Sequence, residues 1–155
     1  GDLRVEAVAV PHDAREPCQF RFRHGGRSLG LLTDLGSITP HVVNSFRGCD
    51  GLILEFNHDL QMLAQGSYPP PLKRRVGGDW GHLNNDQAAA LLQEWGGEGP
   101  DCLVVAHISE QNNCRDRARQ ALDGVRNQPA TVVWAGQGEG SDWLELGPDT
   151  PPGRG

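Results

Sequence analysis

Three apolar runs in this sequence stop at an ionisable residue: 28–33 (SLGLLT) at Asp34, 51–54 (GLIL) at Glu55, and 102–106 (CLVVA) at His107. Short apolar runs of this kind read as buried strands. Loops at the carboxyl ends of such strands collect ligands, because the sheet holds them rigidly while their side chains stay free. Asp34, Glu55 and His107 are therefore expected on one rim. His12, in the polar segment Pro11-His12-Asp13-Ala14, joins them if strands 3–10 and 28–33 are neighbours. Two imidazoles and a carboxylate suit Zn²⁺ or a similar divalent ion, and a site with fewer than four protein ligands keeps water as a reactive ligand. The plain alternative is that each is a loop residue or a cap, and spacing alone does not choose between the two.

Gly81-His82-Leu83-Asn84-Asn85 stands directly ahead of the strongest helical stretch. The helix dipole disfavours a charged imidazole there, yet histidine still moves protons near neutral pH. Glu55 could hold the second ring nitrogen of His82 and so orient a general acid; otherwise Asn84 or Asn85 caps the helix and His82 is a spectator. Lys73-Arg74-Arg75 is the concentrated basic run, and it follows the stiff stretch Tyr68-Pro69-Pro70-Pro71. It either presents cations to a phosphate group or forms a solvated turn. His58 receives no role at this level, and His24 and His41 read as exposed structural residues.

These side chains need elements to position them. Strands are expected at 3–10 and 19–23, the second with Phe20 and Phe22 on one face and Arg21 and Arg23 on the other, with a hairpin turn at Gly25-Gly26. Helices are expected at 40–47, at 59–65 between Asp59 and Gly66, at 86–95 from Asn85 to the stop at Gly96, and at 115–126, entered through Asn112 and Asn113. Strands return at 131–135 and 142–146 around the turn GQGEG, giving an α/β domain over 1–147 and a disordered tail over 148–155. No apolar run approaches the ~20 residues of a membrane span. The 155 residues carry 14 Lys+Arg against 20 Asp+Glu, a net charge of −6 that argues against coating nucleic acid by bulk charge and leaves room for a local basic patch. Gly (21) and Pro (11) are scattered between the apolar runs, which indicates loops rather than disorder. Cys18, Cys49, Cys102 and Cys114 show no CxxC spacing and read as reduced thiols of a cytoplasmic protein.

Taken in order, HDAREPCQFRF, TDLG, LILEFNHDLQML, YPPPLKRRVGGDWGHLNN and VVAHISEQNN resemble the C-terminal half of a metallo-β-lactamase-fold hydrolase. The YycJ/WalJ-like subgroup is the nearest likeness, and tRNase Z and phosphoribosyl cyclic phosphodiesterase are similar. The resemblance implies the C-terminal part of an αββα sandwich. It implies His12, Asp34 and His107 as metal ligands, with Asp34 bridging two divalent ions, Zn²⁺ first and Mn²⁺ second. It further implies Glu55 and His82 as a proton-transfer pair; on that reading the basic run Lys73, Arg74 and Arg75 supplies the candidate contacts to the substrate backbone. The implied activity is hydrolysis of phosphodiester bonds, as a DNA exonuclease with nucleic acid as substrate and no membrane partner. A cyclic phosphodiesterase or lactonase-type hydrolase, or a non-catalytic remnant, are the alternatives. Two departures stand out. Asn84 replaces the serine of the usual GHLSN, a mild change because both residues cap helices. The superfamily motif HxHxDH does not occur in the sequence, which opens at Gly1, so the chain is expected to be a piece of a longer protein.

Overall fold

The computed structural model describes residues 2–95, 99–138 and 140–146. Its elements run β1 (Arg4–Ala9), β2 (Cys18–His24), β3 (Arg27–Leu32), α1 (Pro40–Phe46), β4 (Gly51–Glu55), α2 (Leu60–Gln65), α3 (Pro70–Val76), α4 (Asn85–Glu94), β5 (Cys102–Ala106), α5 (Arg115–Asp123) and β6 (Thr131–Trp134). The six strands form one sheet in sequence order; β1, β2 and β3 pair antiparallel, and β3 to β6 pair parallel. The Gly25-Gly26 turn has positive φ at both residues (57° and 81°), the requirement of the two-residue hairpin turn whose twist matches its strands.

The helices pack on one face of the sheet. Leu32, Leu52, Leu54, Leu103 and Val105 form a fully buried layer beneath Val42, Val43 and Phe46 of α1, Ala88, Leu91 and Leu92 of α4, and Ala118 and Leu122 of α5. The opposite face is also apolar but only half buried. Its central row, fixed by the strand register, is Phe20, Leu31, Ile53, Val104 and Val133.

Several expectations are corrected. Strands 3–10 and 28–33 are not neighbours, because β2 lies between β1 and β3. His12 still reaches the rim, since two antiparallel reversals leave β1 running in the direction of β3. The basic run is no solvated turn. Pro70 opens α3, where the missing N–H costs nothing, and Lys73, Arg74 and Arg75 occupy its last turn. Residues 142–146 form no strand; that segment lies across the half-buried face, with the Leu146 methyls over Gly51 and Trp143 fully exposed. The cap of α4 is Asn84, in a reciprocal pair with Gln87 (2.8 and 2.9 Å), rather than Asn85. Helix α5 ends at Asp123, three residues short of the expected limit, and neither Asn112 nor Asn113 is its N-cap, which is Cys114. Gly96 and the 148–155 tail lie outside the described residues.

Candidate functional site

The carboxyl ends of β3, β4 and β5 bring Asp34, Glu55 and His107 to one rim; His12 arrives after β1, and His82 from the loop between α3 and α4. Glu55 is the hub. Its side chain is 0% exposed and accepts five hydrogen bonds: from the backbone N–H of Asp34 (3.1 Å), Leu35 (2.8 Å) and Leu83 (3.1 Å), and from the Nδ1 atoms of His82 (3.1 Å) and His107 (3.0 Å). Burial alone would raise its pKa. The hydrogen bonds from His107, His82 and Leu83 overcome that and hold it down to about 2, so Glu55 is a carboxylate. The same Glu55 bond raises the pKa of His107 against the opposing effect of burial.

These partners fix the tautomers. A carboxylate can only accept, so His82 and His107 each carry a proton on Nδ1. His12 donates from Nδ1 to the Gly81 carbonyl (2.9 Å), which can likewise only accept. In its neutral form each of the three imidazoles therefore keeps its Nε2 lone pair available, the arrangement that a carboxylate or carbonyl behind a metal-binding histidine produces. The rings form a row with His82 in the middle, their centroids 5.2 Å from His12 and 5.1 Å from His107.

Asp34 faces all three. Its Oδ1 stands 3.9 Å from His12 Nε2, 3.7 Å from His82 Nδ1 and 3.9 Å from His107 Nδ1, too far for hydrogen bonds. Nitrogen and carboxylate donors of this kind fit a divalent ion such as zinc. His12, Asp34 and His82 form one compact group of potential ligand atoms, and Glu55, His82 and His107 form another. The expected set of His12, Asp34 and His107 is not itself one of these groups: Asp34 groups with His12 and His82, His107 groups with Glu55 and His82, and the His107 atom nearest Asp34 is the Nδ1 that donates to Glu55. Asp34 and His107 also share positive φ (52° and 51°), rare for non-glycine residues and costly enough that the surroundings must enforce it.

The loop carrying His82 is pinned at every turn. The His82 N–H donates to the Val76 carbonyl (2.9 Å), and a Cβ on Gly81 would stand 2.2 Å from the carbonyl oxygens of Arg75 and Val76, so only glycine fits. On its far side Asn85 and Asn113 exchange buried hydrogen bonds (3.0 and 2.8 Å), and Asn113 also donates to the Phe56 carbonyl (2.7 Å). That pair ties the starts of α4 and α5 to the exit of β4; it was missed because nothing local marks it. Of the basic run, Arg75 is ion-paired to Asp13 beside His12, and Lys73 donates to the Ala64 carbonyl (2.6 Å). Arg74 is exposed. Together His12, Asp13, Leu72, Arg75, Val76, Gly81 and His82 line a depression of about 190 Å³. His58 is 1% exposed with no hydrogen-bond partner on either ring nitrogen among the described residues, and burial, then the neighbouring His82, push its pKa down to about 4.

The family model for the beta-lactamase superfamily domain matches residues 1–108, a span that contains His12, Asp34, Glu55, His82 and His107. The chain belongs to the beta-lactamase superfamily. Within this superfamily it is 35% identical over 125 residues to exodeoxyribonuclease YycJ of Bacillus anthracis, covering 81% of this chain and 47% of that protein. It is 34% identical over 122 residues to exodeoxyribonuclease WalJ of Streptococcus pneumoniae, covering 79% and 45%. The metallo-β-lactamase fold protein YhfI from Bacillus subtilis superposes with a TM-score of 0.63 at 18% identity, over 87% of this chain and 47% of the other. The chain spans about half the length of the relatives it matches. The superfamily fold implies binding of divalent metal, and no helix among the described residues is long and apolar enough to cross a membrane.

Proposed function

We propose that this chain carries the proton-transfer pair and part of the metal site of a cytoplasmic, metal-dependent phosphodiester hydrolase that acts on DNA as an exonuclease. The observation that supports it most is the row of three imidazoles, each offering Nε2, around the Asp34 and Glu55 carboxylates. The names of the relatives point to DNA. His12, Asp34 and His107 would hold divalent metal, zinc by the donor set, with Asp34 shared between two ions. When bound, such ions polarise the phosphoryl group, neutralise its developing charge and lower the pKa of water.

The chain's own residues do the rest. Glu55 anchors His82 through Nδ1 and balances its charge when Nε2 is also protonated. His82 then delivers the Nε2 proton to the leaving oxygen and returns to neutral, with Glu55 unchanged in protonation. Arg75, held by Asp13, presents its remaining guanidinium donors beside His12, and the exposed Arg74 adds a second cation toward the phosphate backbone.

The test is made in the longest gene product that carries this chain. His82→Ala is expected to lower the rate of metal-dependent oligodeoxynucleotide hydrolysis by about 10²-fold or more while bound metal stays stoichiometric. Full activity in the variant would end the general-acid assignment. Activity that is insensitive to salt would instead favour a small cyclic phosphodiester, because a DNA substrate brings a steep salt dependence.

A further inference from the structure

Beyond His107, on the flank of the rim away from His12, two arginines share one indole. The guanidinium of Arg115 lies 5.1 Å from the centroid of the Trp134 ring and that of Arg119 lies 5.8 Å from it. Trp134 is half buried and packs against the core, which fixes the ring, while both arginines are exposed on α5. Neither is ion-paired among the described residues, although the chain is acidic overall.

That arrangement makes a local basic spot with no carboxylate within ion-pairing distance among the described residues. One arginine would suffice to cover the ring. Two like charges at positions i and i+4 of a helix repel each other, and here both stand against one ring, 5.1 and 5.8 Å from its centroid. A bound anion would relieve the repulsion, and paired guanidiniums match the oxygens of a phosphodiester.

The location fits the same reading. Trp134 pairs in register with Val105, two residues before His107, and the Ala135 N–H donates to the Val105 carbonyl (2.9 Å). Strand spacing and rise then place Trp134 within about 10 Å of His107. Gln137 ties the following segment to the Ile108 carbonyl (3.1 Å). The candidate centre is thus flanked by the basic end of α3 on the His12 side and by this cluster on the His107 side.

We propose that Arg115, Arg119 and Trp134 form a subsite for the phosphodiester backbone of a single DNA strand, one that holds the strand beside the candidate centre. The subsite rests on the reading of the protein as acting on DNA. The experiment is fluorescence anisotropy of a labelled single-stranded oligodeoxynucleotide with the 155-residue protein, in chelator and across a salt series. Arg115→Gln/Arg119→Gln is compared with the wild type and with Arg4→Gln/Arg47→Gln, which removes the same charge elsewhere; circular dichroism verifies folding. The subsite variant is expected to bind on the order of tenfold more weakly, with a salt slope shallower by about 1.4, while the control pair matches the wild type. Wild-type binding that the subsite variant retains in full would overturn the subsite and leave the DNA reading standing. Equal weakening in both double variants would likewise overturn it, as bulk charge would then explain the loss. No binding by the wild type at low salt would overturn both, and would make an acidic protein segment the partner to test.

Discussion

A single buried carboxylate organises the site. Glu55 accepts hydrogen bonds from three backbone amides and two imidazoles, and these come from the exit of β3, the loop before α4 and the end of β5. Glu55→Gln keeps the shape, but its NH₂ cannot accept, so at least one donor is left unpaired in a buried position. The expected loss is about 3 kcal/mol in urea unfolding; an unchanged midpoint would mean that the carboxylate charge contributes nothing to the fold. His58 is the opposite case, a buried imidazole without hydrogen-bond partners among the described residues. Its folded pKa is near 4 against an ordinary 6.5, so between those values the unfolded chain binds more protons and stability falls as the solution is acidified. His107 acts in a separate window, because its raised pKa lends stability that is complete below 6.5 and is lost as pH rises through its folded value. His58→Leu should therefore flatten the stability curve between pH 6.5 and 5 and leave stability at pH 7.5 unchanged or higher by about 1 kcal/mol. An unaltered acid slope in that variant would show that another group carries it.

At the scale of elements, the loop from α3 to α4 decides where His82 stands. Gly81→Ala forces a Cβ onto two carbonyl oxygens and is expected to cost about 2 kcal/mol and to displace the His82 resonances in NMR spectra. Asn84→Ala, which removes the side-chain acceptor of the Gln87 N–H and keeps the backbone N–H that donates to Gln87 Oε1, should cost about 1 kcal/mol and leave those resonances near their original positions. A comparable His82 displacement in both variants would mean that the α4 cap, not the glycine contact, positions the ring. Most helices were legible because an apolar periodicity met a capping residue, as at Asp59 and, one residue away from the expected Asn85, at Asn84. Helix α3 was not, because adjacent prolines read as a stiff extended stretch until one of them is seen at a helix start. The Trp143 to Leu146 alternation looked like a strand, yet Leu146 is used to cover Gly51 on the open face of the sheet.

At the scale of the molecule, helices cover one face of the sheet and leave the other with an apolar row through Leu31, Ile53 and Val104. In the αββα sandwich of this superfamily that is the face on which a second sheet packs. A groove of about 540 Å³ between it and residues 141–146 shows how incompletely this chain covers it. The 155-residue protein is expected to bind a hydrophobic dye there, and Leu31→Lys with Ile53→Lys should reduce the fluorescence severalfold without loss of helical circular dichroism. Undiminished dye binding would place the exposed apolar surface elsewhere.

The sequence by itself determined which residues would stand at the rim. An apolar run that stops at Asp, Glu or His places that residue at a strand end whatever the strands pair with, so Asp34, Glu55 and His107 could be found by inspection. Tertiary structure alone decided what each of them does there. It put β2 between β1 and β3 and still carried His12 to the same rim. It turned three imidazoles the same way by giving each Nδ1 an acceptor, and imposed positive φ on Asp34 and His107. It drew His82 between two potential ligand groups and set Arg115 and Arg119 over one indole. Those outcomes depend on distances between residues far apart in the chain, and pairing across the sheet, which no local pattern encodes, sets those distances.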